Sequence, residues 1–161
     1  MPESCQPYHE VMELSWAKAQ VAVRKMVRVI EQMATKALAQ LIKDLQTQHY
    51  RANQIGIVAA PERALEKIGS PHIRAHAAEG VLFRHVLELA AANNGIRYRS
   101  FEAQKLKTLA AAELRIPVAD LEQRLVALGR AIGQPWRADE KAAAASAWLA
   151  FGLRQKAKAK T

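Results

Sequence analysis

His72, His76 and Glu79 stand at i, i+4 and i+7, so a helix through this stretch places two imidazoles and a carboxylate on one face, within reach of a divalent transition metal. Arg74 beside them opposes a cation, and histidine pairs on solvated helix faces are more often unliganded. Other reactive groups have less support. Cys5 is the single cysteine, flanked by Pro2 and Pro7, with no second thiol for a disulfide. Ser15 and Ser70 lack the glycine-flanked elbow of a nucleophilic hydroxyl, and no Gly-rich phosphate loop occurs. What the chain carries in excess is positive charge, 24 Lys and Arg against 15 Asp and Glu, a net +9. Residues 101–161 hold 11 basic and 6 acidic side chains, and beyond Glu140 come Lys141, Arg154, Lys156, Lys158 and Lys160 with no further acid. Such a surface attracts polyanions, and the phosphate backbone is the commonest of them, so nucleic acid is the expected partner.

The groups that could do this must be positioned by a single core. A chain of 161 residues is the size of one domain and buries enough surface to fold without disulfides or metal staples. Half of the residues are hydrophobic but only 6% are aromatic, and alanine is abundant, which favours helices packed closely on a modest sheet. The start lacks a basic flank followed by an apolar stretch, and no segment approaches the 18 or so apolar residues that span a bilayer. A cytoplasmic protein without a membrane segment is expected. The expected organisation is an irregular stretch over 1–10, one α/β domain over 11–153 and a basic tail over 154–161.

Strand, helix, strand is the predicted order between Asn53 and Phe101. Gln54-Ile-Gly-Ile-Val-Ala-Ala60 is β-branched and short. Ser70 can cap a helix with Pro71 in its first turn, and Asn93-Asn-Gly95 stops that helix before Ile96-Arg-Tyr-Arg-Ser-Phe101. Two strands joined by a helical crossover lie parallel, and ligand sites in such sheets gather at the carboxyl ends of the strands. Ala75, Ala78, Leu82, Val86, Leu89 and Ala90 form the predicted inner stripe of the crossover helix. Further helices are predicted over 102–114, from Pro117 with Val118, Leu121, Leu125 and Leu128 inward, and from about Arg137, carrying Ala144, Trp148, Phe151 and Leu153 toward its end. Residues 11–45 admit two readings. Runs such as Val11 to Trp16, Ala19 to Val23 and Met26 to Ile30 are β-branched and favour a three-strand meander. The alternative is one long amphipathic helix over 16–45, which would make the chain all-α.

With the meander, the order resembles the ribonuclease-H-like fold, and within it the Holliday-junction resolvases of the RuvC type. The residues that carry the likeness are Ala78-Glu-Gly-Val-Leu-Phe83, Asn94-Gly-Ile-Arg-Tyr98, Leu106-Lys-Thr-Leu109 and the acidic, alanine-rich Asp139-Glu-Lys-Ala-Ala-Ala-Ala-Ser-Ala-Trp148. The resemblance implies a mixed sheet flanked by helices and Mg²⁺-dependent cleavage of phosphodiester bonds by clustered carboxylates. It implies Glu13 as the first-strand acid and Asp139 or Glu140 as the last-helix acid, these three being the metal ligands. Glu62 is the nearest carboxylate to the fourth-strand position, where Val58-Ala-Ala60 stands instead. That centre is incomplete, which implies a weak or inactive endonuclease.

The leading expectation is therefore a nucleic-acid-binding domain that holds duplex or branched DNA across Lys105, Lys107, Arg115, Arg154, Lys156 and Lys158. Mg²⁺ is its cofactor only if catalysis survives. The alternative is an all-helical scaffold that forms a homodimer through Met26, Ile30, Met33, Ala37 and Leu41 of a long N-terminal helix.

Overall fold

A computed structural model of the chain describes residues 6–61 and 63–158, side chains being described as far as residue 152. Its contacts divide the chain into two compact units, one built from 1–51 and 60–95, the other from 52–59 and 96–161.

The first unit is helical. A single turn of helix, α1 (Pro7–Glu10), precedes α2 (Trp16–Thr47), and a 3-10 turn at Leu65–Lys67 leads into α3 (Pro71–Asn93). The expected three-strand meander is absent, because residues 16–47 form one continuous helix. The physical reason lies in what this stretch lacks. It contains no Gly, Pro or Asn that could turn a hairpin, and Val23, Val27 and Ile30 fit a helical period as well as an alternating one. Good helix formers around them, chiefly Ala, Lys, Gln, Arg and Leu, then decide the outcome. The helix stops where His49 takes a left-handed conformation, with φ of 63°, and the Tyr50 N–H donates to the Leu45 carbonyl at 2.9 Å.

Helix α3 begins as its sequence predicts. Ser70 Oγ accepts from the Ile73 N–H, and Pro71 occupies the first turn, where it has no intrahelical N–H bond to lose. It packs on α2 through Ala75, Ala78, Leu82, Val86 and Ala90. Leu89, expected inside, is exposed, and Ala91 takes its place in the buried face. At the far end the Asn94 side-chain amide donates to the Thr35 carbonyl on α2 at 3.1 Å and to Ala90 O at 2.8 Å, and Gly95 leaves the helix at a φ of 66°.

The second unit holds the sheet. Strands β1 (Gln54–Ala59) and β2 (Arg97–Glu102) run parallel, in register from Gln54 against Arg97 to Ala59 against Glu102. Two strands alone are marginal in water, so helices must cover them. Helix α6 (Ala138–Lys158) lies against β1, α4 (Ala103–Leu114) packs on α6, and α5 (Val118–Ile132) closes over both. The core is Leu106, Ala110, Ala111, Leu121, Leu125, Ala145 and Leu149, with Val58, Phe101 and Trp148 packed at its border. Val118, expected to face inward, is exposed.

Close approach of α6 to β1 depends on small residues. Gly56 sits against the Ser146 backbone, where a Cβ would overlap the Ser146 carbonyl. Ser146 is fully buried, and its hydroxyl bonds the Gly56 carbonyl at 3.1 Å and the Ala143 carbonyl at 2.8 Å, so the buried polar group is satisfied. The Gln54 amide adds a bond to Ala150 O at 3.0 Å. Between α5 and α6, the Trp136 indole N–H donates to Leu125 O at 2.8 Å, and its ring lies against Gly129. No helix among the described residues is long and apolar enough to cross a membrane.

Candidate nucleic-acid interface

Charge is divided unevenly between the units. The second unit carries 13 Lys and Arg against 6 Asp and Glu, which is +7 of the chain's +9. Its parallel strands finish where β2 runs directly into α4, and at this carboxyl end a cavity of about 490 Å³ opens. The cavity is lined by the apolar side chains of Leu106, Leu125, Val126 and Ala145, with Lys107, Arg137 and Lys141 supplying its positive charge. Such an end of a parallel sheet is where ligands are ordinarily held.

The one carboxylate in this lining, Glu122, is tied to Lys107 at 2.6 Å. That hydrogen bond, reinforced by the charges of Lys107 and more weakly of Lys141, holds the Glu122 carboxyl below its ordinary value. A carboxyl lowered in the folded state adds stability above its unfolded pKa, and that contribution disappears as pH falls through the lower folded value. Both side chains are more than half exposed, so the pair is loose and screened, and Lys107 can exchange Glu122 for a phosphate at little cost. Glu122→Gln is accordingly expected to raise polyanion affinity a few-fold at neutral pH. Anisotropy titrations of both proteins against one labelled oligonucleotide check this, and equal affinities would remove Glu122 as a competitor.

Among the cations expected at the interface, Lys105 is paired with Glu102 at 2.9 Å, Lys107 lines the cavity, and Arg115 is exposed at the left-handed end of α4, with φ of 55°. The side chains of Arg154, Lys156 and Lys158 lie outside the described residues. Sequence reasoning counted Lys141 in the basic excess but not among the contacts, and missed Arg137 and, above all, Arg97, Tyr98 and Arg99. These last three are consecutive and exposed on β2, and neither guanidinium has a hydrogen-bond or ion-pair partner among the described residues. A parallel strand is normally covered on both faces, so a run exposed from Arg97 to Ser100 is unusual. The basic, aromatic, basic order was the available signal, but the sequence does not show that the strand is left open.

The acids implied by the resemblance do not gather within either unit. Glu13 is exposed just before α2 in the first unit, and Glu62 lies outside the described residues. Asp139 and Glu140 belong to the second unit, in the first turn of α6, where negative charge suits the helix dipole. Glu140 is already engaged, accepting the Arg137 N–H at 2.7 Å in a capping role. His72, His76 and Glu79 lie on α3 of the first unit.

The chain matches no family model, and no curated protein or solved structure is significantly similar to it. With no such match, and with a mainly helical chain whose two-strand parallel sheet lacks the meander, the resemblance to ribonuclease-H-like resolvases is not upheld.

Proposed function

We propose that the second unit binds nucleic acid through its phosphate backbone, with Arg97 and Arg99, which share one face of β2, as the principal phosphate contacts, and Tyr98 on the opposite face of the strand open to a splayed base. The observation that carries the reading is the exposure of these three consecutive side chains on a strand, with both guanidiniums unpaired among the described residues. Unpaired arginines release condensed counterions from the polymer when they dock, which is the main source of sequence-independent affinity. An exposed aromatic side chain that meets a base adds stacking, worth about 1–3 kcal/mol per base. Lys107, Arg137 and Lys141 supply further positive charge in the same unit.

The test is fluorescence anisotropy of single-stranded, duplex and four-way-junction DNA, and of RNA, against the full chain. At least three duplex phosphate contacts imply a loss of about 40-fold or more in affinity between roughly 50 and 200 mM salt, from a slope near −0.9 per contact. No binding at the lower salt, or binding indifferent to salt, contradicts the reading.

A second reading, self-association through α2, is favoured by the exposure of Met33 and Leu41, which stand eight residues apart on the face expected to dimerise. Sedimentation of the chain and of a Met33→Glu/Leu41→Glu variant decides it, and a monomer in both cases sets it aside.

A further inference from the structure

We propose that the first unit binds one borderline divalent cation, of the zinc, cobalt or nickel class, through the imidazoles of His9, His72 and His76, with Glu79 orienting His9 from behind. The ligands come from two elements. His9 belongs to α1, and His72 and His76 stand one turn apart at the start of α3. One ring nitrogen from each residue lies within 4.8 Å of the others. His72 Nε2 and His76 Nε2 are 3.2 Å apart. Two nitrogens bound tetrahedrally at 2.0–2.1 Å from zinc would stand about 3.3 Å apart. The rings meet nearly edge to face, at 72–83°, and do not stack, so the point of convergence is defined by the clustered nitrogens alone.

His9 provides an independent sign. Its Nδ1 lies 2.8 Å from Glu79 Oε2, and its backbone N–H donates to Glu79 Oε1 at 3.2 Å. Glu79 is only 5% exposed, a position in which a carboxylate is retained when it is well bonded. With Nδ1–H donating to that carboxylate, the lone pair of a neutral His9 is on Nε2. That atom is shielded from solvent and has no hydrogen-bond partner among the described residues. A buried acceptor without a donor is costly, and a cation at the convergence point satisfies it. A carboxylate behind a histidine that faces a metal also fixes the tautomer and raises the basicity of the ligating nitrogen.

Three imidazoles favour borderline cations over Mg²⁺ or Ca²⁺, which prefer oxygen. Arg74, the cation that counted against such a site, projects from another side of α3, two residues from His72, and donates to the Ile68 carbonyl at 3.1 Å. His72 and His76 are exposed, which leaves a fourth coordination position open to water or a small ligand.

The test uses the untagged full chain, stripped by a chelator and titrated with Co²⁺ and then Zn²⁺, with metal content measured after equilibrium dialysis. One metal per chain is expected, with Co²⁺ giving the intense visible bands of four-coordinate geometry and Zn²⁺ displacing it. His9→Ala and His76→Ala should each weaken Zn²⁺ binding by more than about 100-fold, because losing an outer partner alone costs 10–100-fold. Glu79→Gln should fall within that smaller range. His72 and His76 are exposed, so their alanine variants should keep the circular dichroism of the parent and separate loss of metal from loss of fold. Zn²⁺ affinity unchanged in His9→Ala, a six-coordinate Co²⁺ spectrum, or no metal retained after dialysis would each overturn the assignment.

Discussion

Gly56→Ala is expected to destabilise the second unit by about 3 kcal/mol, at the upper end of what overpacking usually costs. The new Cβ would overlap the carbonyl carbon and oxygen of Ser146, which are main-chain atoms of α6 and cannot swing aside like a side-chain end. Relief requires α6 to move off β1, which also stretches the hydrogen bond from Ser146 Oγ to Gly56 O and leaves the buried hydroxyl only its bond to Ala143 O within α6. The loss should appear as a fall in Tm on the order of 10 °C. Gly80→Ala, in α3 of the first unit, is the control for the substitution itself, since no described atom lies within 4 Å of a Cβ there and a glycine inside a helix costs roughly 0.5–1 kcal/mol relative to alanine. Urea unfolding followed by circular dichroism should therefore move in opposite directions for the two variants. An unchanged midpoint for Gly56→Ala would mean that α6 does not lie on β1 at this distance.

Leu106→Ala is expected to cost about 3 kcal/mol, within the 2–5 kcal/mol range for emptying a buried leucine site. Leu106 is 1% exposed and packs in the cluster with Leu121, Leu125 and Leu149, so its removal leaves a void bounded by three helices. It also lines the cavity at the carboxyl end of the strands. The variant separates stability from binding. Below its lowered Tm, the folded protein retains Arg97 and Arg99, and its DNA binding should keep the parent's salt slope, because an apolar side chain neutralises no phosphate. A cost under about 1 kcal/mol in the same urea assay would show that α4 is not seated as described.

Much of the fold could be read from punctuation. Ser70-Pro71 and Asn93-Asn-Gly95 delimit α3, Pro117 and Gly133 bracket α5, and the β-branched run from Gln54 specifies β1, because each of these residues has a local backbone or capping role. The pairing of Ile55–Val58 with Tyr98–Phe101 followed from the strand, helix, strand order. In residues 16–47 β-branched side chains fit both periods, and the signal that discriminates is the absence of turn residues, without which no hairpin closes. Two features lay beyond sequence reasoning altogether. His9 stands seventy residues before Glu79, and only the tertiary packing of α1 on α3 brings them together. Arg97 to Arg99 were legible as a strand, but their exposure depends on what covers that strand, and this is settled by the arrangement of α4 and α6.

The most direct test of polyanion binding by the second unit is the slope of log affinity against log salt for duplex DNA, measured for the parent and for Arg97→Ala/Arg99→Ala. The account predicts a parent slope of magnitude about 3 or more, reduced by about 2 in the double variant, because each lost phosphate contact removes close to one unit. Equal slopes for a folded variant would place the contacts elsewhere and contradict the assignment of β2 as the binding element.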